Sequence, residues 1–162
     1  MKIFGFVLVF FLGIAIVIVA VGQLGLLQWK RPDGLGVQDG RLKRPAFTPN
    51  SVSSQADLYS DHPQREYAHI EPIRFQGDGH QAMVKIADIL QRMDRTVLVT
   101  REPGYLYAQS SSKLLKFTDD VEFWLDTSAG VIQVRSASRL GRKDFGVNRE
   151  RVETIRAQFA KN

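Results

Sequence analysis

Residues 3–27 form a stretch without a single charge, in which Gln23 is the only polar side chain. About 20 apolar residues at the helical rise cross a hydrocarbon core, so this run is expected to be a membrane span. A secretory signal pairs a basic start, which Lys2 could supply, with an apolar core of about 7–15 residues and a small-x-small cleavage site. The run here is longer, and residues 20–23 (AVGQ) make a poor site. An uncleaved single-span anchor is therefore the leading reading, with a cleaved signal as its alternative. Trp29 then falls at the headgroup level, where indoles concentrate.

The rest of the chain carries nearly all the charge, and the whole has 22 Lys+Arg against 17 Asp+Glu. The absence of cysteine excludes disulfides, thiolate metal sites and a cysteine nucleophile. With 44% hydrophobic and 24% charged residues, wholesale disorder is excluded too. A mildly basic domain is compatible with anionic lipid or an anionic ligand. No nucleic-acid partner is expected. Sidedness is open: Lys30, Arg31, Arg41, Lys43 and Arg44 follow the run while only Lys2 precedes it, which by the positive-inside rule puts the domain in the cytoplasm. A two-residue tail before the span instead looks like an ordinary uncleaved export signal.

Residues 28–66 read as irregular, because four prolines and three glycines between Pro32 and Pro63 break helix and strand alike. Such a stretch is either functional or a linker. Regular structure is expected in 67–162: a strand over 68–75, a turn at 77–79, and a helix over 81–93 with apolar residues at helical spacing. A hairpin follows, 96–101 with 105–109. A second hairpin pairs 116–125 with 131–136, and a last helix is capped by Asn148. Short turns make the strands antiparallel. The expected class is α+β, with an N-terminal transmembrane helix, then one domain of about four to five strands and two helices.

The second hairpin fixes a register. Val121, Phe123 and Leu125 share one face, and Ile132 and Val134 must meet them, since a one-residue slip flips every side chain. That pairs Phe123 with Val134 and Glu122 with Arg135. A carboxylate is thus expected beside a guanidinium, worth a fraction of a kcal/mol if it is exposed.

The polar cluster after this hairpin holds the candidate site. Arg149 and Arg151 stand in the first turn of a helix, where the macrodipole disfavours cations but free N–H groups suit a carboxylate or phosphate. Arg135, Ser138, Arg139, Asn148, Arg149 and Arg151 are accordingly the candidate anion- or partner-binding residues. The competing explanation is a structural ion network with the nearby carboxylates. Asp119, Asp120 and Glu122 are the weak catalytic candidates, by acid–base or hard-cation chemistry. Adjacent strand residues face opposite ways, which argues against one site holding both Asp119 and Asp120. No metal site and no cofactor is expected.

Other patterns carry less. Gly34, Gly36 and Gly40 have the wrong spacing for a dinucleotide loop. Ser110 and Lys113 imitate a serine–lysine dyad but fall at a strand end. His62, His69 and His80 lack ligand spacing and read as surface or turn residues. Tyr105, Tyr107 and Trp124 read as hairpin packing.

Residues 31–36 (RPDGLG), 49–55 (PNSVSSQ), 117–123 (FTDDVEF), 131–141 (VIQVRSASRLG) and 144–149 (DFGVNR) carry a likeness. Over about residues 31–160 the chain resembles the bacterial domain-of-unknown-function family 1499. The resemblance implies no activity and no catalytic residue, but it does imply that the irregular segment is ordered. Many similar sequences carry cysteines beside the Pro-Asn element, where this chain has Arg44 and Ser51. Paired cysteines would suit an oxidising envelope compartment, and their absence removes that support. Other relatives look like exported lipoproteins, which favours the periplasmic side. The expectation is a single-pass protein of the bacterial inner membrane with a non-catalytic domain that binds an anionic ligand or an envelope partner. A hydrolase of an anionic or phosphorylated substrate, or a structural envelope protein, is the alternative.

Overall fold

A computed structural model describes residues 2–161. Helix α1 (Lys2–Gln23) comes first. Its stretch Phe4–Gln23 is long and apolar enough to cross a membrane, and its large apolar side chains are left exposed.

The domain is one antiparallel sheet with helices on a single face. Its strands are β1 (Ser51–Ser53), β2 (Ile73–Arg74), β3 (Thr96–Glu102), β4 (Tyr105–Ser111), β5 (Thr118–Asp126) and β6 (Val131–Ser138). The order is β1-β6-β5-β4-β3, with β2 also on β6. Helices are the single turn α2 (Arg65–Ala68), α3 (Gly79–Arg92) and α4 (Val147–Lys161), with a 3-10 turn at Ala56–Leu58. Six strands form rather than four to five, because β1 is too short to show a period of two in the sequence. The β5–β6 register pairs Phe123 with Val134 and Glu122 with Arg135, as the apolar alternation requires.

Helix α3 lies over β3 and β4, α4 over β6 and β1, and the two helices touch. Ile86, Leu90, Phe123, Ile132, Val152 and Ile155 lie at the centre of the core between them. Burying such side chains is worth about 1.5–3 kcal/mol each. On α3 the apolar positions recur at helical spacing, and the Asp78 carboxylate accepts from the backbone N–H groups of His80 (2.6 Å) and Gln81 (3.2 Å). A side chain at Gly79 would meet Leu125 Cδ1 at 2.7 Å and Phe75 Cζ at 3.0 Å. That residue therefore opens the helix instead of closing the expected turn.

Three further expectations are corrected. The strand over 68–75 shrinks to Ile73 and Arg74, which pair with Ile132 and Val131; Ile70 and Ile73 are not at strand spacing, and Pro72 has no N–H to donate. Asn148 does not cap α4 but lies inside its first turn. His62 is buried: its Nδ1 accepts from the Gln64 N–H at 3.1 Å, its Nε2 lies 3.2 Å from the Pro45 carbonyl, and its ring stacks on Phe47.

Candidate functional site

The face of the sheet turned away from the helices carries two arginine–carboxylate pairs under the irregular segment. Glu122, fully buried, accepts from the Gly36 N–H at 2.8 Å, the Tyr105 hydroxyl at 2.8 Å and Arg135 Nη1 at 3.2 Å. Asp120 accepts from the Tyr107 hydroxyl at 2.6 Å, from Arg139 Nη2 at 2.7 Å and from Arg139 Nε at 3.0 Å. Arg139 Nη1 donates to the Trp29 carbonyl at 2.9 Å. The Arg31 guanidinium lies 4.5 Å from the centre of the Tyr107 ring. Residues 29–36 thus lie as a lid over the polar face, which is what shields these charges from water.

Burial, then the neighbouring Glu122 carboxylate, push the Tyr105 phenol far above its usual range. Burial, then its hydrogen bond to Asp120, raise Tyr107. Both rings stay neutral donors at any physiological pH. Hydrogen bonding to Asp120 raises the Arg139 guanidinium further still. Every carboxylate oxygen of Asp120 and Glu122 meets a donor from this chain, so their geometry is that of held charges.

The other face holds the remaining candidates. Asp119 pairs with Arg151 Nη2 at 2.6 Å. Arg151 Nη1 donates to Ser136 Oγ at 3.0 Å and Asn148 Oδ1 at 2.7 Å. The Asn148 amide nitrogen donates to Ser138 Oγ (2.9 Å), Asp144 Oδ2 (2.8 Å) and the Asn50 carbonyl (3.1 Å). The N–H groups at the start of α4, those of Gly146 and Asn148, bond the Asp144 carboxylate at 3.1 and 3.2 Å. Burial pushes Asp144 up, but the hydrogen bonds from Tyr67, Asn148 and Gly146 outweigh it and hold the carboxyl below its ordinary value. Arg149 lies apart, donating to the Tyr67 and His69 carbonyls at 2.7 and 2.8 Å.

The sheet therefore divides the sequence-derived set. Arg135, Arg139, Asp120 and Glu122 share one face, and Ser138, Asn148, Arg151 and Asp119 the other. No single anion can bridge Arg139 and Arg151, and the start of α4 already holds a carboxylate of its own chain. Among the described residues no three His, Asp or Glu side chains converge as a metal set.

A cleft that the sequence reasoning missed lies at the far end, between the start of α3, the end of α4 and the segment around β2. It encloses about 880 Å³, within the range of small-ligand sites. Phe75, Ile73, Ala82 and Phe159 make its apolar lining, and Arg74 and Lys85 stand at its edge. Lys85 Nζ lies 4.6 Å over the Phe159 ring. Among the described residues neither Arg74 nor Lys85 has a carboxylate partner. The acids at the edge are engaged: Asp78 caps α3, and Glu71 lies 3.5 Å from His69. Phe159 reads in sequence as one more core position, and only the meeting of distant segments opens the cleft.

No curated protein and no solved structure matches the chain. The model of the family described as protein of unknown function (DUF1499) matches residues 41–159, a span that takes in every strand, the arginine–carboxylate pairs of both faces and all of the cleft lining but Ala160. The chain belongs to that family.

Proposed function

We propose that the protein is a membrane-anchored, non-catalytic binding domain whose ligand is a small amphiphilic anion seated in the α3–α4 cleft. The observation that carries this reading is the pairing of an apolar, aromatic-lined cleft with two cations, Arg74 and Lys85, that no carboxylate among the described residues neutralises. An apolar body would lie against Phe75 and Phe159, and its anionic group would meet Lys85. Of the arginines first suspected from the sequence, Arg135, Arg139 and Arg151 are committed to internal carboxylates and Arg149 to backbone carbonyls, which supports a role for them in the fold. Helix α1 supplies the anchor in this reading, and the bacterial inner membrane is the membrane meant. The likeness of relatives to exported lipoproteins favours the periplasmic side. A reporter active only outside the cytoplasm, fused after Asn162, checks it.

Calorimetric titration tests the cleft with octyl sulfate and octyltrimethylammonium, both below their micellar concentrations. The sulfate should bind, and the ammonium about tenfold more weakly or not at all. Lys85→Glu should invert that preference. Equal affinity for both probes, untouched by Lys85→Glu, would sink the reading.

A further inference from the structure

Helix α1 ends against the domain at one particular place. The Gln23 side-chain amide donates to the carbonyls of Lys113 and Leu114 at 3.2 and 2.8 Å. Gly22 packs so closely that a Cβ there would lie 2.8 Å from the Leu115 backbone. The turn between β4 and β5, residues 112–117, is therefore fixed at the C-terminal end of the apolar helix. If α1 spans a bilayer, that turn lies at headgroup depth.

The neighbouring loops come to the same end. The Arg139 N–H donates to the Thr118 carbonyl at 3.2 Å, and the Ser111 N–H to that of Arg95 at 2.9 Å. The loop 139–146 and the turn 93–95 thus flank 112–117. This end exposes large apolar side chains that a soluble surface would hide: Phe145 is 85% exposed, Leu114 59% and Trp29 61%. Lys113, Lys116, Arg142 and Lys143 stand among them in the sequence. Of the nearby acids, Asp144 holds the start of α4 and Asp94 lies 3.9 Å from Arg95, and the exposed Glu150 leaves the four basic side chains in excess.

The backbone adds a second observation. Arg95, Lys116 and Phe145 adopt φ of 56°, 56° and 54°, one in each of the three turns at this end. A bulky aromatic in the left-handed region is a genuine outlier, and such strain persists where surroundings or function hold it. Phe145 bears that cost while facing outward.

We infer that this end of the domain is seated in the headgroup layer of an anionic bilayer. Leu114 and Phe145 enter the interface, and Lys113, Lys116, Arg142 and Lys143 meet lipid phosphates. Aromatic residues at the interface and basic residues against an anionic leaflet are the pairing such a surface favours. The inference rests on the reading of α1 as a membrane anchor. It adds that the domain is held in one orientation, with the α3–α4 cleft at the opposite end. The 14 residues of α3 separate the two ends by about 20 Å at the helical rise.

The chain has no cysteine, so single thiols can report the seat. Full-length Leu114→Cys and, at the far end, Ser128→Cys are reconstituted into vesicles of phosphatidylcholine alone or with one-third phosphatidylglycerol. Reaction with a membrane-impermeant maleimide is timed in each. Leu114→Cys should react at least tenfold more slowly in the anionic vesicles than in the neutral ones, while Ser128→Cys reacts equally in both. Adding Phe145→Glu to Leu114→Cys should restore the fast rate. Both residues are exposed, so the fold should be untouched.

If Leu114→Cys reacts as fast as Ser128→Cys while the protein resists alkaline extraction, the seat is wrong and the anchor stands. If alkali strips the protein from the vesicles, the anchor reading itself has failed. Slow reaction regardless of lipid charge overturns the role given to the basic residues. Slowing that grows with protein-to-lipid ratio assigns the patch to a second copy of the chain instead.

Discussion

Arg139 shows what a residue can be worth when it ties three parts of a chain together. Its guanidinium forks onto Asp120, reaches the Tyr107 hydroxyl and holds the Trp29 carbonyl. Removing one partner of a buried pair strands the other charge, at about 3–5 kcal/mol. Arg139→Ala should therefore lower the unfolding free energy of the full chain by about 3 kcal/mol or more, measured by urea titration in mild detergent. Exposed Arg142→Ala should change it by less than about 0.5 kcal/mol. Arg139→Lys should fall between, since an ammonium keeps the charge and loses the fork. A loss no greater than that of Arg142→Ala would refute the structural role. How much of this was legible differs residue by residue. The Glu122–Arg135 pair followed from the apolar alternation of two strands, because register is a local property of a hairpin. That the pair is buried did not follow, because burial depends on Gly36, 86 positions away from Glu122. That Arg139 meets a nearby carboxylate follows from the sequence as the ion-network explanation, but which carboxylate it meets, and that the pair is buried, does not.

At the scale of elements, the long strands and the two long helices announced themselves by period, while the short pieces did not. Strands β1 and β2 exist because β6 offers them an edge; β1 has no pattern of its own, and β2 is all that remains of the strand expected over 68–75. The start of α4 is a similar case. Asn148 looks like a cap by type and position, yet Asp144, four residues earlier, does the capping because the loop 141–146 turns back on itself. Gly141 and Gly146 make that turn at φ of 94° and 87°. This capping carries a pH signature. The Asp144 carboxyl is held below its ordinary value in the fold, so its stabilisation is complete above the unfolded value of about 3.9. It is lost as pH falls through the lower, folded value. Urea midpoints measured from pH 7 down to pH 2.5 should fall below about pH 4. With Asp144→Asn the midpoint should be lower at pH 7, and the two curves should converge in acid. Parallel curves would mean that Asp144 contributes nothing that titrates.

For the molecule as a whole, α1 and the segment after it look alike in one respect, since neither belongs to the sheet, yet they relate to it in opposite ways. None of the described side chains of α1 belongs to the core cluster, and its contacts with the domain include Gly22 and Gln23 at its C-terminal end. The following segment supplies the Trp29 carbonyl, the Arg31 guanidinium and the Gly36 N–H to the polar face. It also supplies the buried Leu42, whose N–H donates to Gln55 Oε1 at 2.8 Å. Cutting the chain at two places should expose the difference. A fragment of residues 28–162 keeps every one of those contacts and should unfold cooperatively, with a Tm within about 5 °C of the full chain in detergent, since losing two exposed hydrogen bonds costs about 1 kcal/mol or less. A fragment of residues 51–162 keeps all six strands and both long helices, but leaves Glu122 and Arg139 short of partners and Leu42's place empty. Uncovering that face should cost several kcal/mol, so its Tm should drop by more than about 10 °C or its transition broaden beyond two states. Circular dichroism melts of the two fragments decide it. Equal melting would show that the irregular segment only drapes over a sheet that is stable without it, and the buried pairs beneath would then have to be stable against water on their own.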